Sequence, residues 1–139
     1  MILFPSLDMT SWAQLRELDC SIMTWSLPRD THVCEAYNKK CQEPNFAKTF
    51  RTEITEHLAC SDYWLRVNDF PYIVDTNVIH RVFWFKPEAY TMAEAKQVIL
   101  DTTGLTSDNI VVCCNVMHLK SIPELPHYHV FLRLRQSSL

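Results

Sequence analysis

The spacing of the apolar residues changes near Tyr63, and this change restricts the folds that the chain can adopt. From Phe46 to Leu58 an apolar residue recurs every four positions, which is the spacing of a helix that packs one face on a core. From Tyr63 onward the chain instead contains short runs of β-branched and aromatic residues, such as residues 63–67 and 78–85. The sequence therefore predicts helices first and strands afterwards.

Capping residues indicate where the helices begin. The clearest signal is the Thr-x-x-Glu capping box formed by Thr91 and Glu94, which precedes an amphipathic segment. Gly104, the only glycine of the chain, stands where this helix should end. The four predicted helices begin after Ser11, after Asp30 or Thr31, after Asn45 and after Thr91, and the last two run over residues 46–60 and to about Thr103.

Four segments have the composition of strands: residues 63–67, 78–85, 109–116 and 127–134. The predicted order of elements is ααα-ββ-α-ββ. Short links between strands and helices gathered at one end of the chain predict an α+β fold, in which the amino-terminal helices and one inserted helix pack on an antiparallel β-sheet. We expect one domain over residues 1–139, with a helical part over residues 1–60 and a β-α-β core over residues 61–139.

The charge of the chain restricts its ligands. The 13 basic and 16 acidic residues are mixed along the sequence and give a formal charge of −3, so no broad basic surface is available for a nucleic acid backbone. A small phosphate compound needs only a few local donors rather than a net positive charge. Nucleic acid is therefore a disfavoured partner, whereas a nucleotide or a nucleotide sugar remains a candidate.

Neither secretion nor membrane insertion is expected. Residues 1–8 have no basic segment, and Pro5 and Asp8 interrupt their apolar run. The longest apolar stretches, residues 82–85 and 110–114, are much shorter than the ~20 residues that span a bilayer. We therefore predict a cytoplasmic protein.

The six cysteines are expected to be reduced thiols rather than metal ligands. No Cys-x-x-Cys occurs, and Cys34 and Cys41 are seven positions apart. Cys113 and Cys114 are neighbours on a predicted strand, so their side chains point to opposite faces of the sheet. The sequence predicts neither a metal site nor a cofactor.

The last predicted strand contains the residues best suited to chemistry. Because side chains alternate along a strand, two histidines and an arginine should share one face, while an apolar set faces the core. Two imidazoles and a guanidinium can supply a nucleophile or base, its partner and an anion clamp, which suits phosphoryl or nucleotidyl transfer. The first set is His127, His129, Phe131 and Arg133, and the core-facing set is Tyr128, Val130, Leu132 and Leu134.

Two histidines on a half-exposed strand can also be ordinary surface residues. Several polar residues in the neighbouring segments favour a functional interpretation, because together they form a more specific set than the histidines alone. These residues are Asn68, Asp69, His80, Asn115 and Ser121.

The order of these motifs resembles that of an uncharacterised family, found in fungi and large viruses, that includes the N-acetylglucosamine-induced protein. The resemblance spans residues 64–133, about half of the chain, and implies no particular reaction. Its motifs are Val67-Asn68-Asp69-Phe70-Pro71-Tyr72, His80 with Trp84 and Lys86-Pro87, Asn115 with Ser121-Ile122-Pro123, and His127-Tyr128-His129-Val130.

The same segments are remotely similar to the histidine-triad superfamily of nucleotide hydrolases and transferases, which implies a histidine-triad-like fold and a site for a nucleotide. In that superfamily a strand histidine attacks the α-phosphate and forms a covalent nucleotidyl-imidazole, with no metal required. The similarity implies that Asp69 or Asn68 contacts the ribose, that His80 and Lys86 flank the pocket, that Asn115 and Ser121 hold phosphate, and that His127 is the nucleophile with His129 beside it and Arg133 nearby.

The triad itself is incomplete in this chain. Depending on the alignment, Leu125 replaces its first histidine or Phe131 replaces its third, so the nucleophile is His127 or His129. His127 is favoured, because an arginine follows the His-x-His pair at the position where many triad strands end. Ser121 is also farther from His127 than the pattern allows, and the glycines usual between the Asn and the Ser are absent.

Three functions follow from these patterns. The leading hypothesis is a hydrolase or nucleotidyl transferase that acts on a phosphodiester of a nucleotide or nucleotide sugar. The second is a non-catalytic module that binds a nucleotide or sugar phosphate through a degenerate triad. The third is a protein–protein adaptor that uses the helices of residues 1–60, which lie outside the resemblance.

Overall fold

The structure is a computed structural model that describes residues 9–23, 27–115 and 125–134. In these residues four α-helices, one short 3-10 helix and a five-stranded sheet form an α+β fold, as the sequence predicts. In chain order the elements are α1 (Trp12–Glu17), β1 (Ile22–Met23), α2 (Thr31–Cys41), α3 (Phe46–Cys60), β2 (Tyr63–Val67), β3 (Val78–Phe85), α4 (Met92–Thr103), the 3-10 helix (Ser107–Asn109), β4 (Ile110–Asn115) and β5 (His127–Arg133).

The sheet is mixed, with strand order β1-β4-β5-β3-β2. The four longer strands pair in antiparallel fashion, but β1 pairs parallel to β4, with Ile22 opposite Cys114 and Met23 opposite Asn115. The expectation of a purely antiparallel sheet is therefore wrong. The physical reason is that β1 has two residues, which is too short for an alternating pattern to indicate it, and its pairing depends on a contact distant in sequence.

The helix ends follow the capping signals of the sequence. The Thr91 side chain accepts a hydrogen bond from the main-chain N–H of Glu94, and the Glu94 side chain accepts one from the N–H of Thr91. At the other end of α4, Gly104 has a left-handed φ of 70° and its N–H donates to the carbonyl of Leu100. The predicted bounds of this helix are thus confirmed.

Apolar side chains cover both faces of the sheet. On one face, Ala95 and Ile99 of α4 pack with residues such as Phe83 and Val130. The opposite face is covered by the amino-terminal helices, and Ile54 of α3 packs there beside Trp84. A second group on this face includes Trp12, Leu15, Tyr72, Val111 and Phe131.

The strand face that carries the histidines is consequently buried, although the sequence suggested a half-exposed strand. Phe131 has no exposed surface, His129 is 5% exposed and His127 is 8% exposed. Alternation along β5 places these side chains on one face as expected, but a strand pattern carries no information on whether another segment covers that face. Here the amino-terminal helices do so.

Asp19 ties the amino-terminal segment to the rest of the fold. Its carboxylate accepts a hydrogen bond of 2.9 Å from the main-chain N–H of Val112 in β4, and its other oxygen forms an ion pair with Lys96 of α4. One side chain thus joins the segment after α1 to a central strand and to α4. No helix in the described part of the chain is long and apolar enough to cross a membrane.

Candidate functional site

The site lies on one face of the sheet, where three central strands each contribute polar side chains. The register of β3 and β5 sets Trp84 opposite His127 and His80 opposite Phe131. We call this surface the histidine face; from β3 it includes His80 and Trp84, from β5 His127 and His129, and from β4 Asn115.

His80 is a fully buried neutral imidazole. Burial lowers its pKa well below the ordinary value of 6.5, and the nearby positive charge of Arg29 lowers it further. The main-chain N–H of Tyr72 donates to Nδ1 of His80 over 3.2 Å. Because a neutral imidazole carries one proton and Nδ1 accepts, the proton is on Nε2.

This proton fixes the state of His129. Nε2 of His80 and Nδ1 of His129 are 2.9 Å apart, so the N–H of His80 donates to His129. The side-chain nitrogen of Asn68 also lies 3.3 Å from Nε2 of His80. The amide oxygen of Asn68 accepts from the N–H of Phe70, so its NH2 group faces the His80 ring. Because an NH2 group is a donor, Asn68 does not accept the proton of His80. In neutral His129, the accepting Nδ1 leaves the proton on Nε2.

The orientation of the Asn115 amide follows from this chain of hydrogen bonds. Its side-chain nitrogen lies 3.0 Å from Nε2 of His129, while its oxygen is buried and has no partner among the described residues. Since Nε2 of His129 carries a proton, it needs an acceptor, and amide nitrogen and oxygen are assigned from the hydrogen-bond network. We therefore assign the oxygen of Asn115 to the position facing His129, which turns its NH2 group the other way.

His127 is held in a different state from His129. Its Nδ1 lies 3.1 Å from the carbonyl oxygen of Leu125, which can only accept, so Nδ1 carries the proton and Nε2 of the neutral ring carries the lone pair. The ring packs against Trp84 with centroids 4.3 Å apart and lies 6.0 Å from the His129 ring. In contrast, both ring nitrogens of His129 make hydrogen bonds to protein side chains. The two histidines thus differ in which ring nitrogen carries the proton.

Cys113 is the cross-strand neighbour of His129, but it does not form a reactive thiol–imidazole pair. Burial, with smaller contributions from Cys114, Asp19 and Cys20, raises the pKa of the Cys113 thiol to about 12. The thiol is therefore protonated at neutral pH and is a weak nucleophile. Among the described residues, no group of three or more His, Cys, Asp or Glu side chains could hold a metal ion.

Three residues predicted for the site are not buried with the histidines. Asp69 is exposed and forms an ion pair of 2.9 Å with Arg66. Lys86 is exposed just after β3. Arg133 lies four residues from His129 along β5, about 13 Å away at 3.3 Å per residue, and its Nε donates to the side chain of Asn109.

The remaining expectations differ in outcome. His80 and Asn115 are hydrogen-bonded to His129, and the amide of Asn68 lies 3.3 Å from Nε2 of His80. Ser121 lies outside the described residues.

Two residues of the site were not assigned a role from the sequence. Arg29 is buried, its Nε donates to the carbonyl of Phe70 over 2.8 Å, and its guanidinium lies 4.1 Å from the centre of the Tyr72 ring. The Tyr72 ring in turn stacks on His80, with centroids 4.7 Å apart. Tyr72 occurs in one of the motifs quoted above, but nothing in the local pattern singles out Arg29, which comes from the amino-terminal part of the chain.

Comparisons with known proteins give a family and a structural likeness and assign no activity. A family model described as "Protein of unknown function (DUF3605)" matches residues 12–133. The solved structure titled "Crystal Structure of HTC1" is similar with a TM-score of 0.58 and 18% sequence identity, over 90% of this chain and 85% of that chain. At this identity the likeness shows the fold alone. No curated protein matches the chain.

Proposed function

We propose that this chain, which belongs to the DUF3605 family of proteins of unknown function, is a histidine-dependent hydrolase or nucleotidyl transferase acting on a phosphodiester of a nucleotide or nucleotide sugar. The observation that carries this proposal is the state of His127. Its Nδ1 proton is directed to a backbone carbonyl, which leaves the lone pair of Nε2 as the reacting group. A nucleophilic imidazole requires one unprotonated ring nitrogen, and in neutral His127 this nitrogen is Nε2.

The proposed reaction has two steps. Nε2 of His127 attacks the α-phosphorus; a P–N bond forms, and the bond from phosphorus to the leaving oxygen breaks, with that oxygen taking a proton from solvent. Water or an acceptor hydroxyl then attacks phosphorus, loses its proton to solvent and breaks the P–N bond. The carbonyl oxygen of Leu125, which accepts a hydrogen bond from Nδ1 of His127, stabilises the positive charge that the ring carries in the intermediate.

The finer expectations belong to this proposal. They are that the fold is related to that of the histidine-triad superfamily, that the chain is related to the N-acetylglucosamine-induced protein, and that the protein is cytoplasmic. The ordered motifs of residues 64–133 and the six cysteines without a disulfide-type spacing support them.

A second candidate function is a non-catalytic module that binds a nucleotide or sugar phosphate. The observation that favours it is the engagement of His129, whose two ring nitrogens contact His80 and Asn115, together with the apolar, fully buried Phe131 at the position of a third histidine. In this case the polar cluster would orient a ligand without covalent chemistry.

The proposal is tested by measuring turnover of nucleotides, dinucleoside polyphosphates and nucleotide sugars by the purified protein and by His127 variants. Replacing His127 with Ala or with the larger Gln is expected to lower kcat by a factor on the order of 10³ or more, because the nucleophile is removed. The matched control is His32→Ala, since His32 is exposed on α2. This control should keep the wild-type rate.

Thermal melting of each variant separates a lost reaction from a lost fold. Turnover at the wild-type rate by a folded His127→Gln protein would reject the histidine mechanism. Thermal stabilisation by a nucleotide without any product would instead select the binding module.

A further inference from the structure

Three buried polar atoms on the histidine face, or on the Tyr72 ring that packs against it, have no hydrogen-bond partner among the described residues. They are the hydroxyl of Tyr72, the indole nitrogen of Trp84 and the amide oxygen position of Asn115. The three residues are 3%, 5% and 6% exposed, respectively. In folded proteins the large majority of buried polar atoms are paired, so these three atoms require an explanation.

All three side chains contact the strand histidines. The ring of Trp84 lies 4.3 Å from that of His127, and the ring of Tyr72 lies 5.4 Å from that of His129. The amide of Asn115 lies 3.0 Å from the His129 ring. The unpaired atoms therefore belong to groups that contact His127 or its neighbour His129.

All three unpaired groups are hydrogen-bond donors once the amide of Asn115 is oriented as assigned above. The indole nitrogen of Trp84 can only donate, and the hydroxyl of Tyr72 can donate. With the oxygen of Asn115 facing His129, the atom without a partner becomes its NH2 group, which also donates. A ligand that satisfies all three groups must therefore supply hydrogen-bond acceptors.

The charge of the side chain that lies over the Tyr72 ring is positive, which favours a negatively charged ligand. The guanidinium of Arg29 lies 4.1 Å from the centre of the Tyr72 ring, and Arg29 is 6% exposed. Hydrogen-bond donors next to a buried positive charge favour a group that is rich in acceptors and negatively charged.

We infer that Tyr72 and Trp84, together with the NH2 group of Asn115, form an oxyanion-binding site that holds a phosphate group beside His127 and His129. This inference rests on the proposed function for the identity of the anion. It assigns ligand contacts to two aromatic residues, and it replaces Arg133, which lies too far along β5, with donors that surround the histidines.

The experiment measures binding of inorganic phosphate by isothermal titration calorimetry to the wild-type protein and to Tyr72→Phe. This substitution removes the hydroxyl and retains the ring that stacks on His80. The expected result is a loss of phosphate affinity of about tenfold or more, the effect of one hydrogen bond to a charged group. The thermal midpoint of the free protein should stay unchanged or rise, because a buried unpaired hydroxyl has been removed.

The matched control is Tyr63→Phe. Tyr63 lies on the opposite face of the sheet, where its ring stacks on Phe83. Its hydroxyl contacts Thr102, so this variant also loses a tyrosine hydroxyl, but at a distance from the histidine face. Phosphate affinity should equal that of the wild type.

A second variant tests the assigned orientation of Asn115. Asn115→Asp has nearly the same shape and keeps an oxygen that accepts from Nε2 of His129, but it replaces the NH2 donor by a negatively charged oxygen. We expect this variant to fold and to lose phosphate binding, because the added charge repels the anion.

Three results would overturn the inference: no phosphate binding by the wild type, wild-type affinity in Tyr72→Phe, or a lowered thermal midpoint of free Tyr72→Phe, which would indicate a structural partner for the hydroxyl. The proposed function fails separately. Tyr72-dependent phosphate binding without turnover of any substrate would reject the enzyme and keep the anion site. Turnover that depends on His127, with a phosphate affinity that Tyr72→Phe does not change, would support the enzyme and reject the anion site.

Discussion

His127 and His129 are two positions apart on one strand, yet different neighbours give their rings different roles. Nδ1 of His127 donates to a carbonyl, whereas Nδ1 of His129 accepts from His80. The strand period predicts that both side chains share a face, and this prediction is correct. It does not predict which nitrogen carries the proton, because that depends on His80, which is 49 positions away from His129 in the chain.

The buried state of His80 gives a prediction for the pH dependence of stability. Because its pKa in the folded protein is well below 6.5, the unfolded chain binds a proton at this residue under mildly acidic conditions and the folded chain does not. The contribution of neutral His80 is complete above pH 6.5. As the pH falls below 6.5, the free energy of unfolding should decrease by up to about 1.4 kcal/mol per pH unit for this one group.

Urea denaturation followed by tryptophan fluorescence, from about pH 8 to about pH 5, measures this slope. The exposed His32 provides the control, and His32→Gln should show the same decrease as the wild type. A second measurement, the ¹⁵N chemical shifts of the imidazole at neutral pH, should show the proton of His80 on Nε2. Protonation of His80 near pH 6.5 in the folded protein would contradict the assignment.

At the scale of elements, the predictions agree with the structure for segments with strong local signals and fail for segments that are held by contacts distant in sequence. The predicted bounds of α3 and β3 match those observed, because each has a continuous apolar pattern and a clear end. In contrast, β1 has only two residues and was not predicted. The main-chain contacts beside it include the N–H of Cys114, which donates to the carbonyl of Ser21 just before β1, and no local pattern contains that information.

The carboxyl end of α4 provides a prediction at this scale. Gly104 has a φ of 70°, and a Cβ atom added there would meet no atom within 4 Å. The cost of a side chain is therefore conformational rather than steric, and Gly104→Ala should lower the free energy of unfolding by about 1 kcal/mol. Gly104→Asn should cost less, because asparagine adopts left-handed conformations more readily than alanine. Equal losses in the two variants, measured by urea denaturation, would show that the backbone conformation is not the cause.

At the scale of the whole molecule, the amino-terminal helices are part of the same core as the sheet. The sequence suggested a helical part over residues 1–60 beside a core over residues 61–139. In the structure α3 packs Ile54 and Leu58 against Val82 and Trp84 of β3. The helices thus cover the face that carries the candidate site, a relationship that helix and strand periods cannot reveal because they describe each segment separately.

This arrangement predicts that residues 61–139 do not fold alone. Without the helices, the buried side chains of Val82, Trp84 and Phe131 would be exposed, and the fragment would lose the burial that stabilises the sheet. We expect the fragment to aggregate or to give a poorly dispersed NMR spectrum, while residues 1–139 give a dispersed one. A dispersed spectrum from the fragment, with a cooperative thermal transition, would show that the sheet is stable without its helical cover.

The contacts of Asp19 also have a consequence for the rate and order of folding. This residue is 77 positions from Lys96 and 93 positions from Val112, its partners in the folded protein. Contacts between such distant positions require closure of long loops and are formed slowly compared with local turns. During synthesis, the amino-terminal segment cannot complete its packing until β4 has left the ribosome. The apolar side chains of α1 and β1 that pack against Val111, Cys113 and Phe131 therefore stay without these contacts until β4 and β5 have been made.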